Sequence, residues 1–320
     1  MRIKEIPEDF RVTEIARRDW SREGPYYVYT LSKRDITTRE AIRQLAKENR
    51  CSEQEIRCAG NKDRRAVTHQ FITSSKPLIS NDTRCSLLHV GYTDAHLFLG
   101  DLLANDFCIR VKDVFSHNTC AIPNYFGEQR FSSQNVLIGI HILKRRFVQA
   151  ALLLSYQYPS VRYWLEKNPS DGVGALRKVP FQILLLFVHA VQSYLWNEVV
   201  SQYIHDTYTE YLSCTYSQGT WHFPKQQNNK ELFVPLIGAV STLGEWKKYY
   251  EAILENTGVS QQDFFIRAIP QLTQEGSERK LWSTVQNINI QQDSDSARVE
   301  MRLEPGSYAT VVLSGLFEAK

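Results

Sequence analysis

The segment Gly60-Asn61-Lys62-Asp63-Arg64-Arg65 sets one carboxylate among three cations. Adjacent positive charge holds a carboxylate ionised, and an ionised carboxylate in a loop can act as a nucleophile or base. The same lysine and arginines suit phosphate. Gly, Asn and Asp are also the ordinary residues of a turn, so the segment on its own reads first as a turn former. A second group is Arg39, Arg43, Lys47 and Arg50, whose helical spacing at about 100° per residue puts all four on one face as a basic stripe, which could follow a phosphate backbone or simply be solvated. The six cysteines, Cys51, Cys58, Cys85, Cys108, Cys120 and Cys214, form no C-x-x-C and no close Cys/His quartet, so no metal is expected. The eight histidines, His69 included, show no spacing that suggests a catalytic pair.

The elements that must hold these residues are legible in part. Phe10 to Ile15 and Tyr26 to Ser32 read as strands around a Gly24-Pro25 turn, and Val67 to Thr73, Leu87 to Tyr92, His96 to Leu99 and Phe107 to Val111 as further strands. Thr37 followed by Glu40 is a capping box, and Ala41, Ile42, Leu45 and Ala46 give the helix it starts an apolar face opposite the stripe. The Gly60 to Asp63 turn is read as joining a helix to a strand. After Ile122 the periodicity changes: Val136 to Leu154 and Phe181 to Gln202 are expected to be helices. Gln226 to Asn229 and Gln291 to Ser296 read as polar loops, and alternation at Val299, Met301 and Leu303 followed by Tyr308 to Leu313 suggests that the chain ends in strands. The expected fold class is α+β, with residues 1–120 plus 277–320 as a discontinuous domain around a mostly helical insertion at 121–276, the two forming a cleft.

Composition narrows the classes further. A chain of 320 residues, 42% hydrophobic and 23% charged, can bury a core and is neither collagen-like nor disordered. The net charge of +3 is too mild to announce a nucleic-acid protein, but its excess is local: 20 basic and 17 acidic residues fall in positions 1–120, against 18 and 18 beyond. Charges in Met1-Arg2-Ile3-Lys4-Glu5 argue against a secretory peptide, so a cytoplasmic location without disulfides is expected. Phe181 to Val191, the most apolar run, is shorter than the ~20 residues that span a bilayer, so no membrane is expected.

The pattern Gly60-x-Lys62-Asp63-x-x-Ala66-x-Thr68-x-Gln70 resembles the signature of the TruD family of pseudouridine synthases. Five further segments agree with that family in its order: Pro7-Glu8-Asp9-Phe10-x-Val12-x-Glu14; Asn105-x-Phe107 with Arg110; Asn124-Tyr125-Phe126-Gly127-x-Gln129-Arg130-Phe131; Gln192-Ser193-Tyr194-Leu195-Trp196-Asn197; and Pro305-Gly306-Ser307-Tyr308-Ala309-Thr310. Departures are few: Ser132 stands where the family usually has glycine, and the lead-in to Asn105 at Asp101 and Leu102 is altered.

The resemblance implies a cofactor-independent isomerase that converts a tRNA uridine, typically at position 13, to pseudouridine on a pseudouridine-synthase-like mixed or antiparallel sheet with an inserted TRUD domain. It makes Asp63 the catalytic residue, whether attacking C1′ or C6 or removing a proton in a glycal-type route. It places Phe10 and Tyr308 against the flipped nucleotide and Asn105 as its hydrogen-bonding partner, with Phe107 nearby. Lys4 becomes an electrostatic partner of Asp63. A stacked uridine must leave its helix before its glycosidic bond can be reached, and aromatic side chains replace the lost stacking. Arg39, Arg43, Lys47, Arg50, Lys62 and Arg64 are the expected contacts to the RNA backbone, Arg130 a further one from the insertion, and a monomer the expected state. A non-catalytic RNA-binding protein would not need Asp63, and an N-glycoside hydrolase would want a carboxylate pair to activate water.

Overall fold

The alternation at residues 10–15 becomes a strand whose Phe10, Val12 and Glu14 are buried while Arg11 and Thr13 face solvent. A computed structural model describes residues 1–98, 100–132, 134–228 and 231–317. In chain order its elements are β1 (Phe10–Ala16), β2 (Tyr26–Arg34), α1 (Thr38–Glu48), β3 (Ile56–Cys58), β4 (Val67–Ser74), β5 (Cys85–Thr93), β6 (Leu102–Lys112), α2 (Asn135–Leu143), α3 (Phe147–Leu154), α4 (Pro159–Lys167), α5 (Gly172–Leu176), α6 (Phe181–Thr207), β7 (Tyr211–Tyr216), β8 (Gly219–Pro224), β9 (Phe233–Leu236), α7 (Lys247–Thr257), β10 (Ser277–Lys280), β11 (Val285–Gln292), β12 (Ser296–Leu303) and α8 (Ala309–Leu316).

The chain divides into two compact units. The first comprises Met1–Asn118 with Thr284–Ala309 and Phe317. Its eight-stranded sheet runs β11-β12-β6-β1-β4-β2-β5, with β3 also paired to β4. Among the described residues of this sheet only the β1–β4 pair is parallel; the other ladders are antiparallel. Thr37 accepts from the Glu40 N–H and Glu40 reaches back to the Thr37 N–H at 3.0 Å, so the expected capping box starts α1. Ala41, Leu45 and Ala46 then pack with Tyr29, Leu31, Ile56 and Ile72, covering the inward face of β2 and β4.

The second unit comprises Thr119–Ser283 with Thr310–Leu316. α6 is its core: Val188, Val191, Leu195, Trp196, Val199 and Val200 are fully buried. At 27 residues this helix is longer than the expected apolar run and is long and apolar enough to cross a membrane, but two-thirds of its apolar window is buried inside the unit, so core packing accounts for its composition. The helical middle also holds two small sheets, β7–β8 and β9–β10, the latter pairing Ser277–Lys280 with Phe233–Leu236.

Several local expectations change. The turn at Gly60 follows the short strand β3, not a helix. Residues 96–98 form no strand, because His96 and Leu97 turn back onto the Thr73 hydroxyl, each at 3.1 Å; Leu99 lies outside the described residues. Gln291, Gln292 and Ser296 belong to the paired β11 and β12, leaving 293–295 as the hairpin turn. Residues 309–313, expected in a strand, form the helix α8, whose buried Ala309, Val312, Leu313 and Leu316 recur at helical spacing. Burial of that face overrides the strand preference of its β-branched residues.

Candidate active site

Asp63 stands in the connection from β3 to β4, and the first residues of β4 after that connection, Val67 to His69, pair with Arg11 to Thr13 of β1. The aspartate is thereby carried to the start of β1. The chain before β1 is shaped to meet it. Residues 7–9 make a single 3₁₀ turn, closed by the buried Asp9 carboxylate accepting from the Ile6 N–H at 3.1 Å. Arg2 exchanges both backbone bonds with Lys112, and Arg65 donates to the Glu5 carbonyl at 2.6 Å. Between these anchors Lys4 adopts the left-handed conformation at φ 58°, which an L-residue holds only when its surroundings require it.

Lys4 Nζ lies 2.5 Å from Asp63 Oδ2 and 3.9 Å from the centre of the Phe10 ring. A cation so placed fixes the direction of the carboxylate through a charge-assisted bond. The Phe10 ring meets Phe107 edge-on at 5.9 Å. Four sequence-selected residues, Lys4, Phe10, Asp63 and Phe107, are therefore brought together.

Asn105 lies two residues along β6 from Phe107, on the same face, directly opposite Glu14 of β1 and Leu303 of β12. Its side-chain carbonyl is buried and has no hydrogen-bond partner, as is true of the Thr68 hydroxyl, which faces the same way opposite Val12. Buried polar atoms left unpaired are rare, and two on one sheet face suit a polar planar ligand such as a nucleobase. Tyr308 sits half-buried in the connection from β12 to α8, beyond the Leu303 that pairs with Asn105.

The site is supported from below by Lys33 and Thr38, which the sequence reading did not single out, and by Gln70 of the signature. Lys33, 1% exposed, donates to the carbonyls of Ile36 and Asp63, both at 2.8 Å, and more weakly to that of Lys62 at 3.4 Å. Burial pushes this ammonium down to about 8, opposed by the attraction of Asp63. A signal was present: Tyr29, Leu31 and Lys33 share one strand face, so the period of two puts a lysine in an apolar row. Thr38 accepts from the Lys62 N–H at 2.9 Å and donates to Gln70 at 2.8 Å, and Gln70 donates to the Gly60 carbonyl at 3.2 Å. The bonds to the Gly60, Lys62 and Asp63 backbone clamp the Asp63 loop, and those to Ile36 and between Thr38 and Gln70 tie the clamp to β2, α1 and β4.

Lys62 changes role. Its ammonium pairs with Glu14, whose other oxygen accepts from the Phe71 N–H at 2.8 Å, and only 10% of its side chain is exposed. It ties the loop to β1 and is not presented to a phosphate. Arg64 is exposed. Of the basic stripe, Arg39, Arg43 and Lys47 lie exposed on α1, with Arg43 3.3 Å from Glu53. Arg50 falls past the helix end in the left-handed region at φ 51°, so the stripe has three helical members and one in the following turn.

In the second unit, residues 124–131 and 192–197 are knitted together. Asn197 accepts from the Phe126 N–H and donates to its carbonyl, both at 2.9 Å, and Tyr125 and Phe126 meet Trp196 edge-on.

With this geometry in place, the comparisons with known proteins are specific. The family model described as tRNA pseudouridine synthase D (TruD) matches residues 1–163, 160–213 and 217–316. A probable tRNA pseudouridine synthase D of Nanoarchaeum equitans is 29% identical, aligned over 99% of this chain and 98% of its own length. The tRNA pseudouridine synthase D of Aquifex aeolicus is 27% identical with the same coverage, 99% and 98%. A crystal structure of a putative tRNA pseudouridine synthase D (TruD) from Methanosarcina mazei superposes with a TM-score of 0.72 at 24% identity, covering 99% of this chain and 93% of that one.

Proposed function

The chain belongs to the tRNA pseudouridine synthase D (TruD) family, and on that premise we propose that Asp63 is its catalytic residue and that it isomerises the uridine at position 13 of tRNA. The reaction is an isomerisation: the C1′–N1 bond breaks, the C1′–C5 bond forms, and the proton lost from C5 is balanced by one gained at N1. No atom enters or leaves the nucleotide overall, so one anionic group and a confined base meet its requirements.

The observation that carries the assignment is the Asp63 carboxylate held 2.5 Å from Lys4, with the Phe10 ring beneath the ammonium. On this reading the uracil enters against Phe10 and Phe107, Asn105 accepts from its N3–H, Tyr308 covers its other side, and Lys33 and Thr38 keep the Asp63 loop from shifting while the base turns. The sheet unit does the chemistry, and Arg39, Arg43, Lys47 and Arg64 meet the phosphate backbone.

The test is carbodiimide-dependent primer extension on an unmodified tRNA transcript. The wild-type chain is expected to give a stop at uridine 13, and Asp63→Asn to give none while still binding tRNA. A stop elsewhere would move the target nucleotide; undiminished pseudouridine from Asp63→Asn would remove Asp63 from its role.

A further inference from the structure

In the second unit, Phe126, Arg130, His189, Gln192 and Ser193 line a cavity of about 390 Å³ with residues 274–277. That volume lies within the range of small-ligand sites. Two sequence segments that the chemistry of the uridine leaves unused, 124–131 and 192–197, meet in its wall.

Its electrostatics are unbalanced. Arg130 Nε is buried and has no hydrogen-bond partner, and among the described residues no carboxylate pairs with this guanidinium. Glu275 lines the same cavity without forming an ion pair to it. The other polar groups are already engaged: Gln192 donates to the Ile237 carbonyl and Ser193 to the His189 carbonyl, both at 2.7 Å, and His189 Nε2 lies 3.0 Å from the Gln274 side-chain oxygen. The neighbouring Arg279 stacks on Phe126 at 4.1 Å and is fixed by two bonds of 2.8 Å to Asn124, whereas Arg130 lies over the same ring at 5.8 Å with its Nε unbonded. Burial, reinforced by Arg130, keeps the His189 imidazole below its usual range and therefore neutral at pH 7. Arg130 is left as the uncompensated positive charge of the cavity.

A half-buried guanidinium with an unpaired N–H costs free energy that an anion would recover, and its planar fork matches phosphate oxygens. Phe126 and Leu236 supply an apolar wall for the attached sugar or base. We propose that this cavity receives one nucleotide of the RNA substrate other than the isomerised uridine, with its phosphate on Arg130. The proposal rests on tRNA being the substrate.

The experiment measures the dissociation constant of full-length chains for an unmodified tRNA transcript by filter binding over a series of KCl concentrations. Arg130→Gln is expected to weaken binding about tenfold and to flatten the salt dependence by about 0.7–0.9, one phosphate contact. Arg130→Lys keeps the charge without the fork and is expected to retain the wild-type slope with an intermediate affinity. Wild-type affinity and slope in Arg130→Gln overturn the proposal. So does an Arg130→Lys chain as impaired as Arg130→Gln with a matching fall in thermal midpoint, because that result assigns Arg130 to packing. A wild-type chain that neither binds tRNA nor makes pseudouridine would remove the premise and the proposal together, an outcome distinct from both.

Discussion

Lys33 places a full positive charge inside the sheet unit, where its ammonium joins the Asp63 carbonyl to the Ile36 carbonyl of the β2–α1 connection. Its burial lowers its proton affinity from the ordinary 10.5 to about 8. The unfolded chain then holds a proton between about pH 8 and 10.5 that the folded chain has released, so this group's penalty is full below pH 8 and is relieved as pH rises. Replacing Lys33 by Met removes that dependence: in urea denaturation, the stability of wild type relative to Lys33→Met should increase from pH 7 to pH 9.5. A difference independent of pH would mean that burial leaves the proton affinity of Lys33 at its unfolded value. The same substitution leaves the loop carbonyls without their donor, and a misplacement of about 1 Å at a reacting group costs on the order of 100-fold in rate. Pseudouridine formation at saturating tRNA should fall 10- to 100-fold, roughly, with tRNA affinity nearly unchanged.

At the scale of elements, α1 has two jobs on two faces. Its apolar face closes the core over β2 and β4, and its exposed face carries Arg39, Arg43 and Lys47. Arg43 already leans on Glu53, whereas no ion pair occupies Arg39 or Lys47 among the described residues. The double change Arg39→Gln with Lys47→Gln should therefore flatten the salt dependence of tRNA binding by about 1.5, with thermal stability little altered because both positions are solvated. An unchanged slope would make the stripe a solvated helix face and nothing more. The capping box and apolar face of this helix were readable because both are local patterns. The end of the helix was not: Arg50 fits the helical angle, yet the chain leaves the helix at Asn49 to pass under residues 79–81, where Asn49 bonds the Ile79 carbonyl at 2.8 Å.

For the molecule as a whole, chain order and spatial order part company at the C-terminus. Residues 310–316 follow a strand of the first unit but belong to the second, and Gly315 fits there because a Cβ would stand 2.8 Å from both Ile122 and Phe223 side-chain carbons. A chain ending at Ala309 keeps every residue of the candidate site yet loses the buried Val311, Val312, Leu313 and Leu316. Each such side chain contributes about 1.5–3 kcal/mol when fully buried. Five of the six tryptophans, Trp164, Trp196, Trp221, Trp246 and Trp282, lie in the second unit, so fluorescence reports on it. The urea midpoint of the truncated chain should fall clearly by that probe; an unshifted midpoint would show that the helix is dispensable to the unit.

The sequence by itself determined the family, the catalytic candidate and the residues proposed to surround the base, because these chemistries demand particular side chains at particular spacings. Asp63, Phe10, Phe107 and Lys4 could be named without coordinates, and the structure links them in a chain of contacts, Asp63 to Lys4, Lys4 to Phe10 and Phe10 to Phe107. What only the tertiary structure decided was how side chains far apart in sequence divide the work. Lys62 and Arg64 look alike as cations beside an aspartate, but the pairing of Lys62 with Glu14, 48 positions away, turns it inward while Arg64 stays exposed. Lys33, Thr38 and Gln70 become the loop's clamp only when β2, α1 and β4 meet. Residues 309–313 have the β-branched composition of a strand and became a helix because the surface they pack against, built from other parts of the chain, rewards a helical face. Short-range preference is written in neighbouring residues; burial and charge pairing are set by partners that the chain brings together only on folding.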